Sequence, residues 1–225
     1  MGKSTFNGGA QRRKPRKAKT TDGRQNQRIK KLEQTVYPSI EKKSRDITAF
    51  GASISSGGYG NQPMFQLEEG DGSNQRVGDK VQLKTMEVSL SLAKADTDGT
   101  NSVRLIFLNT PSTTAIGLDD VLEYGNYTTD GDMVFSSPYR RKASTAESTY
   151  SIMFDKVYHF KSNMRLITDK FLLDKIPAKG RACNFQSTGS VQPENFQVQV
   201  LAVSDSTASP HPAISYIVRS KYIDL

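Results

Sequence analysis

From Asp46 onward the chain alternates short apolar runs with turn-forming residues, and the clearest run has a period of two. Met86-Glu87-Val88-Ser89-Leu90-Ser91-Leu92 puts an apolar side chain at every second position, as a strand with one buried face requires. Val81-Gln82-Leu83-Lys84 alternates just ahead of it. Asp96-Thr97-Asp98-Gly99 turns the chain, and VRLIFL (103–108) returns it. The same reading predicts strands over 47–55, 64–68, 149–160, 164–173, 182–186, 195–203 and 214–223. A glycine-rich break, SSGGYGNQP, follows the first of these. The body is given one short helix, over 118–124 (LDDVLEY). Eight or nine strands with Gly, Pro, Ser and Asp between them, and almost no helix, indicate an all-β body, a β-sandwich or jelly roll.

The first 45 residues follow a different pattern. Apart from Met1, residues 1–23 hold a single large apolar side chain, Phe6, too little to offset the entropy of ordering, so they are expected to be disordered alone. Residues 24–36 (RQNQRIKKLEQTV) have helical spacing: Arg24, Arg28 and Lys31 share one face, and Ile29, Leu32 and Val36 form a narrow stripe opposite. A helix this short is marginal in water and is expected to order against phosphates or against copies of itself. The chain therefore divides into a basic arm (1–45, with a helix over about 24–36) and a β body (46–225).

Charge sharpens this division. The 225 residues carry 31 Lys and Arg against 23 Asp and Glu. Residues 1–45 hold 14 of the basic and 3 of the acidic residues, a net +11, which leaves 17 against 20, or −3, in the body. A near-neutral body with a polycationic tail points to a polyanionic partner bound through the tail. Its densest part, QRRKPRKAK, supplies Arg12, Arg13, Lys14, Arg16, Lys17 and Lys19. These and Arg24, Arg28 and Lys31 are the predicted nucleic-acid-binding residues, and the run also suits a nuclear import signal.

Chemistry beyond charge is sparse. No run of 18 apolar residues exists, so no transmembrane helix and no membrane insertion are expected. No signal peptide is visible, and Phe6 stands where myristoylation after Gly2 wants Ser or Thr. The lone Cys183 fits a reducing compartment and excludes a Cys-based zinc site. Both histidines, His159 and His211, lack a nucleophile motif, and Gly57-Gly58-Tyr59-Gly60 opens no helix, so no enzyme and no cofactor are expected. Carboxylates do cluster, and Asp96, Asp98, Asp130 and Asp132 are the calcium candidates, suited to a site shared between chains. A plain hairpin turn explains Asp98-Gly99 better.

The polar stretch GDGSNQRVGDK (70–80) stands directly before the alternating strand. Its order with the basic arm, the VRLIFL strand, TTAIGLDDVLEYGNY (113–127) and YRRK (139–142) resembles the capsid proteins of the satellite tobacco necrosis virus type, including relatives from small circular single-stranded DNA viruses. The resemblance spans the arm, the helix and the first half of the body, to about Phe160. It implies a single eight-stranded antiparallel jelly roll, self-assembly into an icosahedral shell of sixty copies (T=1), and an arm lying inside against a single-stranded genome. Sixty such arms would supply on the order of 660 positive charges, enough to neutralise several hundred phosphates. It also implies a place in the virion, with the host nucleus or cytoplasm as the site of assembly. An arm that reads phosphate does not distinguish DNA from RNA; the import-like run favours DNA.

Two readings of 70–80 stand side by side. In one, Asn74, Gln75, Arg76 and Asp79 face a neighbouring subunit and fix its register. In the other, they form a turn network within their own chain. The alternative function is a non-viral nucleic-acid-binding β-sandwich that forms no shell.

Overall fold

The computed structural model describes residues 25–29, 31–32, 42–61, 63–95, 101–110, 116–140, 150–186 and 189–225. The chain falls into two units, Met1–Ile40 and Glu41–Leu225. In the first, the described residues are helical at 25–29 and 31–32, inside the expected helix, and all are exposed.

The second unit is mostly β, as expected. Among the described residues its nine strands are β1 (Lys42–Ser53), β2 (Tyr59–Asn61), β3 (Lys80–Ala93), β4 (Asn101–Thr110), β5 (Ser151–Phe160), β6 (Leu166–Leu172), β7 (Arg181–Asn184), β8 (Gln197–Ser204) and β9 (Ala213–Asp224). They form two antiparallel sheets, ordered β1-β9-β3-β6 and β2-β8-β4-β5, with β7 pairing beside β3 in the first. The pairing is nested. The first strand pairs with the last, β2 with β8, β3 with β6, and β4 with β5.

Burial explains both kinds of apolar pattern. Leu83, Met86, Val88, Leu90 and Leu92 of β3 and Tyr216 and Val218 of β9 face Leu105, Phe107, Val198 and Val200 in the core between the sheets. Alternate residues of β3 and β9 remain on the outer face, so these strands alternate. The run VRLIFL lies in β4, which is covered on both sides: Ile106 and Leu108 pack with Leu201, Val203 and the 116–140 segment in a second apolar layer. A strand buried on both faces has no polar side to show.

Within β3 the alternation changes phase between Leu83 and Met86, where the pairing with β9 slips: Leu83 faces Tyr222 and Thr85 faces Lys221. Lys84 is the extra residue of a β-bulge, which keeps both apolar sets in the core.

Several expectations are corrected. Residues 64–68 form no strand, although Met64, Phe65 and Leu67 are buried. They are held by isolated backbone bonds, Met64 N to Val198 O at 2.7 Å and Leu67 N to Val191 O at 2.8 Å. The glycine-rich break contains β2, paired through Tyr59↔Ala202, Gly60↔Leu201 and Asn61↔Val200. A Cβ on Gly60 would come within 3.3 Å of Leu201 Cδ2, so the close approach suits glycine.

The covering segment holds three one-turn helices instead of one: α1 (Leu118–Val121), α2 (Tyr127–Asp130) and α3 (Met133–Ser136). Asp120 accepts from Gly117 N at 2.9 Å at the start of α1, and Asn126 caps α2 by accepting from Thr128 N at 2.9 Å. β1 begins at Lys42, so Lys42, Lys43 and Arg45, counted above with the arm, belong to the sheet. With the division at Ile40, the first unit holds 11 basic and 2 acidic residues (+9), and the second 20 and 21 (−1).

Candidate nucleic-acid and subunit-contact surfaces

Most of the predicted phosphate-binding residues, Arg12, Arg13, Lys14, Arg16, Lys17, Lys19 and Arg24, lie outside the described residues. Arg28 and Lys31 are described; both are helical and exposed. Ile29 and Leu32 are exposed with them, apolar side chains uncovered within their own unit.

The 70–80 segment is folded around Arg76. Arg76 N donates to Glu68 O at 2.9 Å, Gly70 N to Arg76 O at 3.0 Å, and Gln75 N to Gly72 O at 3.0 Å. The Arg76 side chain is fully buried. Its guanidinium donates to Gly78 O and to Ser190 O (3.0 Å), lies 3.6 Å from Glu69 and 3.4 Å from Asp79, and stacks 4.4 Å from the Phe185 ring centroid. Gly78, at φ +87°, then turns the chain into β3. The expectation that Arg76 offers its donor fork to a neighbour is therefore corrected: the fork is taken up by its own chain, and it joins the segment to the β7–β8 connection. Asn74 and Asp79 are exposed and Gln75 is half-buried, so those three remain on the surface.

Lys43 makes a parallel tie. Its position on β1 points inward, and its ammonium is held by Asp224 at 3.0 Å and by Gln75 O at 3.1 Å. Arg76 and Lys43 together join the start of β1, the 70–80 segment, the β7–β8 connection and the end of β9.

Beside this knot the outer face of the first sheet is strongly basic. Lys42, Ser44 and Lys221 lie on adjacent strands, Ser44 opposite Lys221, and the β3 bulge sets Lys84 and Thr85 next to Lys221. These residues, with Lys43, line a cleft of about 620 Å³. Lys84 Nζ donates to Gln82 Oε1 at 2.6 Å and to Lys179 O at 2.8 Å, which fixes it at the wall. Sequence reading missed this group because its lysines come from three strands far apart in the chain. The one local signal was the phase change around Lys84.

One row further along the sheet, Arg219 binds both oxygens of Asp46 at 2.9 and 2.7 Å, and Lys170 pairs with Glu87 at 2.9 Å. The Arg219 hydrogen bonds hold the Asp46 carboxyl below its ordinary value. On the second sheet, Arg104 is buried under the covering segment. It donates to both oxygens of Asp155 (3.1 and 2.7 Å), to Val134 O (2.7 Å) and to Ser137 O (3.0 Å). Tyr139 of the YRRK element donates to the same carboxylate at 2.5 Å. Burial, then this bond to Asp155, push the Tyr139 phenol up to about 12.

Of the calcium candidates, Asp96 and Asp98 lie outside the described residues. Asp130 ends α2 half-buried, and Asp132 precedes α3 and is exposed. Among the described residues no group of three or more His, Cys, Asp or Glu is placed to hold a metal ion. His159 and His211 each meet a serine hydroxyl, Ser102 at 2.9 Å and Ser206 at 3.1 Å. Among the described residues no helix is long and apolar enough to cross a membrane.

No protein-family model matches the chain, and no curated protein matches it. Among solved structures, a chain from "Structure of infectious bursal disease virus Gx strain" aligns over 81% of this chain and 41% of its own length, at 10% identity and a TM-score of 0.11. This chain thus spans less than half the length of that one, and so low a TM-score assigns no fold.

Proposed function

We propose that the chain is a viral capsid protein: a jelly roll that self-assembles into a closed shell and packages single-stranded nucleic acid through its basic arm. The observation that carries this reading is the nested pairing of strands. The sheet orders β1-β9-β3-β6 and β2-β8-β4-β5 support it, because they are the orders that an antiparallel hairpin of eight strands would give when rolled into a jelly roll, with β7 as an addition beside β3. The charge division supports it as well, because a near-neutral body can approach copies of itself while the +9 segment neutralises phosphate. The shell is proposed to hold sixty copies, with the virion as its location and the host nucleus or cytoplasm as the place of assembly.

Sedimentation velocity of the full-length protein after nuclease treatment, followed at 260 and 280 nm, tests this. One fast boundary with excess absorbance at 260 nm is expected, from closed particles protecting nucleic acid. A slow boundary with the spectrum of protein alone, at low salt as well, would overturn the proposal in favour of a nucleic-acid-binding β-sandwich that builds no shell.

A further inference from the structure

We infer that the lysine cleft on the outer face of the first sheet is a second phosphate-binding site, built into the folded body, which takes the backbone of a single-stranded nucleic acid. The inference rests on the proposed packaging role. Lys42, Lys84 and Lys221, with Ser44 and Thr85, line the cleft of about 620 Å³; Lys43 lines it as well, but its ammonium turns inward to Asp224 and Gln75 O. The carboxylate of Asp224 is bound to Lys43 at 3.0 Å, which leaves three lysines in excess. Each ammonium has three donors, and Lys84 uses two of them, on Gln82 and Lys179, so it retains one for a ligand.

The arrangement favours phosphodiester over a single small anion. Lys42 and Lys221 sit on exposed positions of neighbouring strands, so they line an open track. Lys42 is the first basic residue after Lys31, eleven positions on, so the cleft takes up the next basic side chain after those of the arm. Point charges on flexible stems suit phosphate without regard to base or sugar. DNA and RNA strands are therefore expected to occupy the cleft alike.

The test uses the full chain and a fluorescent single-stranded oligonucleotide, with affinity measured across a salt series. Each phosphate contact on a single strand contributes about 0.7 to the slope of log affinity against log salt. The double variant Lys42→Ala/Lys221→Ala is expected to lower that slope by about 1.4. A control of equal charge loss, Lys161→Ala/Arg165→Ala in the β5–β6 connection, is expected to leave it unchanged. In wild type the oligonucleotide is expected to protect Lys42 and Lys221, but not Lys161, from acetylation read by mass spectrometry.

Equal slopes for the two double variants, or no protection of Lys42 and Lys221, would overturn the inference while leaving the packaging role standing. A variant that binds the oligonucleotide as wild type but no longer assembles would also overturn it, and would make the cleft a contact between subunits. Absence of any nucleic-acid binding by wild type would overturn the packaging role itself.

Discussion

Replacing Arg76 by alanine tests how the 70–80 segment is held. The variant strands two acceptors, Gly78 O and Ser190 O, each of which loses a buried donor at about 1 kcal/mol or more. Losing the stack on Phe185 costs about 1 kcal/mol. The void left by a fully buried side chain costs roughly another 1 kcal/mol. Glu69 and Asp79 are partly exposed, so water takes over most of their contribution.

The total is about 4 kcal/mol, equivalent to a fall in Tm of roughly 10 °C for a body of this size. Arg76→Lys keeps the charge but not the fork, and is expected to recover less than half of the loss. The assay is urea denaturation followed by far-UV circular dichroism at two widely separated protein concentrations. An intrachain clamp gives the same loss at both, whereas a subunit contact gives a loss that depends on concentration. A variant within about 1 kcal/mol of wild type, or a deficit that disappears on dilution, would refute the intrachain account.

Three other predictions follow from buried or paired groups. Burial pushes the Cys183 thiol up to about 12, so it should resist a thiol reagent at pH 8 in the folded protein and react at once in denaturant; rapid reaction in native buffer would contradict its placement. Asp155→Asn leaves Arg104 buried without its counter-charge and should destabilise by about 3 kcal/mol in thermal unfolding, while dropping the Tyr139 phenol toward its ordinary value in a spectrophotometric titration. Asp46, hydrogen-bonded by Arg219, and Asp169, hydrogen-bonded by Lys156 and Tyr158, both have folded-state values below the ordinary 3.8. Their contribution is therefore complete above about pH 4 and is lost as pH falls through the lower folded values. Arg219→Gln should flatten the stability profile only in that acid window, and an equal loss at pH 7 and pH 3 would count against the linkage.

The strands with a repeating pattern were legible in the sequence. The alternation of 86–92 and the continuous run 103–108 predict β3 and β4, and they differ because only β4 is covered on both faces. Residues 64–68 misled because their apolar side chains are buried without a ladder, and burial alone reads as a strand. β2 escaped notice because three residues with a central glycine have no pattern, and the strand exists only through β8, far along the chain. Lys43 read as part of a basic arm because its partner, Asp224, stands at the other end of the sequence. The lysine cleft was hidden for the same reason. Periodicity reports which face is buried, but it does not report which distant strand lies alongside.

The central claim is that copies of this chain close into a shell of fixed number, and the most direct test is the mass of the intact particle. Sixty chains of 24.9 kDa give a protein shell of about 1.5 MDa. Charge-detection mass spectrometry of nuclease-treated particles should find that mass plus packaged nucleic acid, and the bare shell mass after the nucleic acid is released and removed. Species of one or a few chains, under buffers from low to physiological salt, would contradict the account.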